Sequence, residues 1–518
     1  MDISRADSEA IKIWLALAAL LLIILWPWLC RLSARASRYA LVVLALVAGL
    51  NYARWGPALP FAHIDAYDVI HYYVGAKYFD ELGYYDLYPA LLLIDHEHGP
   101  YSHKLRRYRA QDRERGYRGG VPLRRALERG RALRNQRFSP ERWAELEHDF
   151  LTLQRKRSDR MPRSLWVTMM NDRGFNGTPV WLLAGQAFAN LVPVEAIKLL
   201  CALDGLLLAA ALVAVGWTYG TSAALWACVF LFVSYSLRWP VVSWAVLRYD
   251  WVAALLFGMV LLRRGHPAWA GVVTGYASLV RLFPAAWMFG PFCQAVARMF
   301  RPGLPWRQRL DRRHLRLAAG FVLAVGVLTG AAATRYGPDA IATHADNIAH
   351  HIKPEELSSR RVGFALATVF EGKTKPKILP PEKKVQIKKN ATIRLLIAGL
   401  LLLLLAIGLR DRPTDEAFAY GLLPFFMLTT ASYYYFVCRI TLVVWHAAEL
   451  SHTRNRVGLA ALMGLELFSN ASEVILPLHR VFLVGGLAWG LTIYAVTMTA
   501  WLLYDSRKSS IPGDAKPP

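Results

Sequence analysis

The sequence predicts an all-α protein, a polytopic transmembrane helix bundle with about 11–13 spans. Three observations lead to this prediction. Of the 518 residues, 55% are apolar, and the mean hydropathy is positive at +0.27. Apolar stretches of roughly 20 residues, the length that crosses the hydrocarbon core as a helix, recur along the chain. Long polar segments interrupt them twice, which is typical of loops outside the membrane.

Two predicted spans, Ile11–Leu29 and Tyr39–Trp55, make up the N-terminal region, residues 1–56. Arg31, Arg35 and Arg38 lie between them, so the positive-inside rule places this short loop in the cytoplasm. The second span then returns the chain to the outer side of the membrane. The first apolar stretch is long and lacks a small-residue cleavage site, so we interpret it as a helix that is retained.

Residues 57–176 form the predicted first outer loop, which has two parts. Ala62–Tyr88 is rich in aromatic residues and has helical periodicity, which predicts an amphipathic helix at the membrane interface. Lys104–Arg160 is an Arg-rich insertion with 18 basic and 8 acidic residues, a net charge of 18 − 8 = +10. Long segments cross membranes largely regardless of their charge, so the insertion is compatible with the outer side.

The rest of the chain alternates in the same way. Residues 177–334 form a transmembrane bundle, 335–391 a second outer loop, 392–505 the C-terminal helices and 506–518 a polar tail. Thr178–Leu191 is a short partial span. The candidate full spans are Ile197–Trp217, Ser222–Leu237, Val241–Leu262, Trp269–Phe289, Leu315–Ala333, Ile393–Leu409, Ala417–Tyr433, Phe436–Leu450, Val457–Phe468 and Val481–Leu503.

The formal net charge of +24 would suit a nucleic-acid-binding protein, but the basic residues lie between apolar segments and in their loops. Membrane lipids or a phosphorylated ligand are the expected partners, and nucleic acid is not. The five cysteines lie in or beside apolar segments without metal-ligand spacing, which predicts packing residues. No cofactor is expected.

The acidic start of the first outer loop is the first candidate site. On a helix, Asp65, Asp68 and Tyr72 share one face, and His71 lies near Asp68. A carboxylate at the membrane boundary is partly desolvated, which raises its pKa and lets it deprotonate an acceptor hydroxyl. Lys77 follows on the next turns. The alternative is an interfacial helix with an aromatic belt and no catalytic role.

Charged residues inside the predicted spans form a second group. Such residues are costly in lipid and usually face a cavity or a partner. Arg281 could instead extend harmlessly from a cytoplasmic helix end into the lipid headgroups. The members of the group are Asp204, Arg238, Arg248, Asp250 and Arg281.

The second outer loop offers a third group of residues that could bind phosphate oxygens, because histidine donates one hydrogen bond and arginine can donate two in parallel. Adjacent histidines also suggest a metal site. His350 and His351 point to different faces of a helix, however, and no HxxxH or HExxH pair occurs, so no metal is predicted. The residues concerned are His344, Asp346, His350, His351, Arg360 and Arg361.

Four sequence elements, taken in order, resemble those of GT-C superfamily glycosyltransferases, particularly bacterial polyprenyl-phosphate-mannose-dependent α-mannosyltransferases. The acidic and aromatic start of the first outer loop resembles theirs. GTPVWLL at 177–183 resembles their Pro-Pro-x-aromatic-x-x-Leu element, and GYASLVRLFP at 275–284 their Gly-Leu-Ala-x-x-x-Lys/Arg-x-x-Pro element. YGP at 336–338 with DNIAH at 346–350 resembles a later outer loop. The segment HYYVGAKYFDELGYYDLY at 71–88 is also similar to one in uncharacterised bacterial membrane proteins.

The resemblance implies roles for individual residues. It implies that an acidic residue of the first outer loop is the catalytic base, here Asp68 or Asp65, with His71 beside it. The donor phosphate would be held by Arg248, Arg281, His350, Arg360, Arg361 and Lys77. Possible acceptor or supporting residues are Asp172, Asp250, Tyr72 and His344. The insertion Lys104–Arg160 is unusual for that family.

These observations lead to one functional hypothesis and two alternatives. The hypothesis is an inverting glycosyltransferase (an enzyme of EC class 2.4) in the bacterial inner membrane. It would transfer a sugar such as mannose from a polyprenyl-phosphate donor to an acceptor in the cell envelope on the extracytoplasmic side. The first alternative is a transporter or flippase for a lipid-linked or anionic substrate, with the buried charges as its path. The second is an assembly factor whose Arg-rich loop binds lipid headgroups or an anionic polymer.

Overall fold

The structure is a computed structural model that describes residues 5–53, 55, 64, 66–105, 107–109, 120–155, 163–170, 175–237, 245–351, 360–373, 379–476 and 479–508. Three residues singled out in the sequence, Asp65, Asp172 and Arg238, lie outside the described residues. The side chains of His350 and His351 are also outside the description, although both residues belong to a helix.

The described chain is almost entirely helical, which confirms the predicted all-α class. Its helices carry large apolar side chains on their outside, for example Leu206, Val322 and Leu396, which are 64%, 66% and 69% exposed. Such surfaces are stable in lipid, because there the apolar side chains are not exposed to water. Among the described residues, six helices are long and apolar enough to cross a membrane and indicate an integral membrane protein: Ala6–Leu32, Ala34–Tyr52, Val194–Tyr219, Arg312–Tyr336, Ala391–Leu409 and Arg480–Arg507.

Most of the other predicted spans are shorter or broken helices. The span predicted at Trp269–Phe289 is interrupted because Arg281 has an extended backbone and Pro284 follows closely. The remaining elements of the bundle are Pro179–Leu191, Thr221–Val233, Tyr235–Leu237, Asp250–Arg263, Pro267–Val280, Phe283–Met288, Phe289–Met299, Trp306–Arg309, Thr414–Ala419, Leu422–Leu428, Tyr433–Arg439, Ile440–Ala448 and Thr453–Val474.

The bundle helices run between two faces. At the first face, Ser8 donates a hydrogen bond to the carbonyl of Asn51, so the start of the first helix lies beside the end of the second. At the second face, Arg264 contacts Trp217 and Thr218, which joins the ends of two other helices. Helices Pro267–Val280 and Arg312–Tyr336 pack closely because Gly320 lies against the carbonyl of Ala268.

The two outer loops both fold over the first face. The first contains Ala66–Val69, a π-helical turn at Ile70–Val74, Gly75–Lys77, Phe79–Leu82, Leu87–His98, Ser102–Lys104, Leu123–Arg137, Pro140–Arg155 and Arg163–Met170, with strands Arg107–Arg109 and Gly120–Pro122 paired antiparallel. The second contains Pro338–His351, Phe364–Ala367 and Pro381–Lys389, and its strand Arg361–Val362 pairs antiparallel with Ala431–Ser432.

The aromatic part of the first outer loop differs from the predicted interfacial helix. Asp68, His71 and Lys77 are all buried, and so are the apolar residues around them. A helix lying on a membrane would expose its polar face to water. Here the insertion covers the segment at Lys77 and the bundle covers it at Asp68 and Tyr73, so the segment is enclosed between the two.

Candidate functional site

The candidate site begins at Asp68, in the short helix that precedes the π-helical turn. Its side chain is buried, and Oδ2 lies 3.1 Å from Nε of Arg248. The opposite charge counters the cost of burying the carboxylate. Tyr72 lies four residues further on, and its hydroxyl accepts a hydrogen bond from Arg248. Asp68 and Tyr72 thus share one face, as predicted, and both meet the same guanidinium.

Several hydrogen bonds hold the loop that carries Arg248. Both backbone N–H groups of Arg248 and Tyr249 donate to the carboxylate of Asp204, at 2.6 and 2.9 Å. Leu247 has a left-handed backbone with φ 47°, a conformation that costs a non-glycine residue about 1–2 kcal/mol. The indole N–H of Trp181 donates a hydrogen bond of 3.0 Å to the carbonyl of Leu247. The GTPVWLL element therefore supports the loop that carries Arg248.

Arg281 reaches the same place from the end of helix Pro267–Val280. Its guanidinium lies 5.8 Å from the centroid of the Tyr72 ring. The guanidinium of Arg248 lies 4.9 Å from the same centroid. Arg281 is only 7% exposed, and its Nε and Nη2 have no hydrogen-bond partner among the described residues. Arg281 is thus enclosed by protein at the first face, whereas the alternative from the sequence expected it to extend into lipid headgroups. Arg248 is paired with Asp68, whereas Arg281 has unused donors of the kind that bind oxyanions.

Aromatic and acidic residues complete the surroundings of these arginines. Asp250 accepts a hydrogen bond of 2.6 Å from the Tyr276 hydroxyl, so this carboxylate supports helix packing. Tyr434 lies 5.3 Å from the guanidinium of Arg248, and its ring contacts that of Tyr435 at 4.5 Å. Sequence reasoning missed both tyrosines, because their segment reads as the end of one apolar span and the start of the next.

Both ring nitrogens of His71 lie close to polar side chains. Its Nδ1 lies 2.8 Å from the Tyr88 hydroxyl, and its Nε2 lies 3.1 Å from Oδ1 of Asn176. The Tyr72 hydroxyl donates to the same amide oxygen at 2.9 Å. Asn176 begins an Asn-Gly-Thr triplet, a pattern too common to have pointed to this role. Burial raises the pKa of Tyr72, although both guanidiniums lower it, so its hydroxyl stays protonated.

The second outer loop meets the first at the same face. Tyr85 donates a hydrogen bond of 2.9 Å to Asn347, and the His344 ring lies 5.9 Å from that of Tyr84. His350 lies at the end of this helix, Pro338–His351. The carbonyl of Arg360 accepts a 2.8 Å hydrogen bond from the backbone of Tyr433. Arg361, in the paired strand, is thereby fixed close to the segment that carries Tyr434.

Lys77 lies in a different cluster from the two arginines. Its Nζ lies 2.7 Å from Asp149 and 2.8 Å from Glu145, both in helix Pro140–Arg155. The Tyr78 hydroxyl also donates to Asp149, and burial together with that carboxylate raises the pKa of Tyr78. Lys77 has the partners that its charge requires, so it is a poor candidate for binding a donor phosphate.

Within the described residues, no group of three or more histidine, cysteine, aspartate or glutamate side chains could hold a metal ion, and the five cysteines are free thiols. Comparison with known proteins adds no identification: no protein-family model, no curated protein and no solved structure matches this chain. The resemblance to polytopic glycosyltransferases stays a prediction from the sequence.

Proposed function

We propose that the protein is an integral membrane glycosyltransferase of GT-C type that uses a polyprenyl-phosphate sugar as donor. One observation carries the proposal: a buried carboxylate, Asp68, is paired with Arg248 beside Arg281, which has unused hydrogen-bond donors. This arrangement contains the two groups that the reaction requires, a base for the acceptor and fixed cations for the departing phosphate.

The chemistry follows from these positions. The acceptor oxygen attacks the anomeric carbon while the bond from that carbon to the phosphate oxygen breaks, which inverts the configuration. Asp68 accepts the proton of the acceptor hydroxyl, and the polyprenyl phosphate leaves with the electron pair of the broken bond. Arg248 and Arg281 stabilise its negative charge. Because Arg248 is paired with Asp68, an entering phosphate has to share this guanidinium and thereby frees the carboxylate to act as a base.

The distribution of charge supports an extracytoplasmic site in the plasma membrane. Connections at the second face, opposite the candidate site, are short and carry most of the arginines outside the two outer loops, which by the positive-inside rule is typical of the cytoplasmic side. These arginines are Arg31, Arg35, Arg38, Arg263, Arg264, Arg298, Arg301, Arg307, Arg309, Arg312, Arg313, Arg410, Arg412, Arg454, Arg456 and Arg507.

The proposal is tested by Asp68→Asn in membranes supplied with a labelled polyprenyl-phosphate sugar. We expect transfer of the label to fall by about 10²- to 10⁴-fold, the usual contribution of a general base. Asp80→Asn is the matched control, because Asp80 lies on the same segment in a half-exposed ion pair with Arg335. Asp65→Asn tests the second candidate base. Transfer at the wild-type rate in both Asp68→Asn and Asp65→Asn would remove the proposed base.

A transporter or flippase is the second candidate, favoured by buried charge pairs inside the bundle such as Arg439–Glu466, whose side chains are fully buried and 2.7 Å apart. The same labelled donor separates the two functions in proteoliposomes to which an extract of the native membranes is added as the source of acceptor. A transporter moves the donor across the bilayer with its sugar–phosphate bond intact, whereas a transferase breaks that bond.

A further inference from the structure

The Arg-rich insertion is packed against the first outer segment. Its helix Leu123–Arg137 lies directly on helix Leu87–His98, and Gly130 makes this possible because a Cβ there would be 2.7 Å from the carbonyl of Pro89. Arg134 forms a 2.9 Å ion pair with Glu97 across the same contact. The described part of the insertion is therefore folded and packed against the rest of the protein.

The second insertion helix, Pro140–Arg155, holds Lys77. Lys77 is buried, and Asp149 is almost completely buried beside it. Asp149 accepts from both Nζ of Lys77, at 2.7 Å, and the hydroxyl of Tyr78, at 2.9 Å. Lys77 also donates to Tyr73, which lies within the π-helical turn. One carboxylate of the insertion thus fixes the residues immediately after that turn.

Arg142, from the same helix, makes a second set of contacts with this segment. Its Nη2 donates to the backbone carbonyl of Lys77 at 2.6 Å, and its Nε donates to Glu81 at 2.8 Å. Its guanidinium lies over the ring of Tyr78, 4.2 Å from the centroid. The insertion therefore holds backbone and side chains along one side of this segment.

The opposite side of the same segment carries the candidate site. Asp68 and Tyr72 point to Arg248, and His71 to Asn176. A π-helical turn is rare, occurs frequently at functional sites, and persists where the surrounding structure determines it. The insertion supplies such surroundings on the outer side.

We propose that the insertion is a brace for the π-helical turn, and that Asp149 and Arg142 are positioning residues that fix the direction of Asp68 and Tyr72 through Lys77 and Tyr78. The brace itself is a claim about local order. Its consequence for sugar transfer rests on the proposed function.

Hydrogen exchange of the full-length protein in detergent tests the brace. In Asp149→Asn, we expect the amides of Ile70–Lys77 to exchange at least 10-fold faster, while helices Ala391–Leu409 and Thr453–Val474 keep the wild-type rate, because local opening is independent of distant packing. Arg142→Ala is the second variant, because it removes the contacts of Arg142 while Lys77 keeps both Asp149 and Glu145 as partners. Glu128→Gln is the matched control, because Glu128 forms an exposed pair with Arg124 on the outside of the insertion.

Unchanged exchange of Ile70–Lys77 in both Asp149→Asn and Arg142→Ala would overturn the brace, whatever the activity of the protein. For transfer, we expect the kcat of Arg142→Ala, per donor-binding site, to fall about 10-fold with an unchanged KM for the donor, because Arg248 and Arg281 still bind it. Faster exchange without any transfer in the wild-type protein would retain the brace and reject the proposed function.

Discussion

Two buried arginines, Arg439 and Arg281, differ in how fully their guanidiniums are partnered. Arg439 is fully buried and paired with Glu466 at 2.7 Å, and it also donates to the hydroxyl of Ser236. Arg281 is nearly as buried but leaves both Nε and Nη2 without a hydrogen-bond partner among the described residues, whereas Arg439 leaves only Nη1. A buried donor without a partner costs about 1–3 kcal/mol of stability. Proteins keep such unfavourable groups at functional sites.

We therefore expect Arg281→Met to raise the free energy of unfolding by about 1 kcal/mol or more, because it removes a poorly partnered charge. The same variant should weaken binding of the donor by roughly 10- to 100-fold, the contribution of a charged hydrogen bond. Thermal unfolding and donor binding in detergent check both effects.

Arg439→Met is the contrasting variant. It leaves Glu466 buried without its cation, and we expect a loss of about 3–5 kcal/mol in the free energy of unfolding. If Arg281→Met destabilises the protein as much as Arg439→Met does, Arg281 has a structural role. That result would contradict the proposed binding of an anion by Arg281.

Among the secondary-structure elements, the loop before helix Asp250–Arg263 is held from several sides. Asp204, in the middle of helix Ile197–Tyr219, accepts two backbone N–H groups of this loop, and Trp251 donates its indole N–H to the carbonyl of Arg248 at 3.0 Å. These bonds offset the strained backbone of Leu247. These contacts hold the backbone on both sides of Arg248.

This arrangement predicts that Asp204→Asn destabilises the protein by about 1.5–3 kcal/mol, because an amide can accept only one of the two backbone hydrogen bonds well and carries no charge. Thermal unfolding in detergent measures the loss. Thr218→Val serves as the control: Thr218 lies in the same helix but accepts an exposed hydrogen bond from Arg264, so a change below about 1 kcal/mol is expected. Equal losses in the two variants would contradict the special role of Asp204.

At the scale of the whole molecule, the two faces of the bundle differ in the length of their connections and in charge. The candidate site and both outer loops lie at the first face, and the short arginine-rich connections lie at the second. The positive-inside rule therefore predicts that Ser139, exposed on the insertion, is outside the cell and that Gln308, exposed between two bundle helices, is inside.

Single cysteines at Ser139 and Gln308, placed in a background without the five native cysteines, check this orientation. A membrane-impermeant thiol reagent should label Ser139→Cys in intact cells and label Gln308→Cys only after permeabilisation. The opposite pattern would place the candidate site in the cytoplasm and exclude an extracytoplasmic acceptor.

The sequence by itself determined the class of protein and several parts of the candidate site. Runs of about 20 apolar residues report directly on burial in lipid, so the long helices are visible without any tertiary contact. The shared face of Asp68 and Tyr72 follows from helical spacing. Arg248 and Arg281 stand out because charge in an apolar span is costly and therefore requires a reason.

The tertiary structure decided what those residues contact. Only the folded chain shows that Lys77 is paired with Asp149 of the insertion and that Asn176 joins His71 to Tyr72, because these contacts link residues 72, 105 and 104 positions apart. Only the folded chain brings Tyr434 to Arg248. Periodicity reports whether a side chain is buried, but the identity of its partner depends on the packing of distant segments, which no local pattern contains.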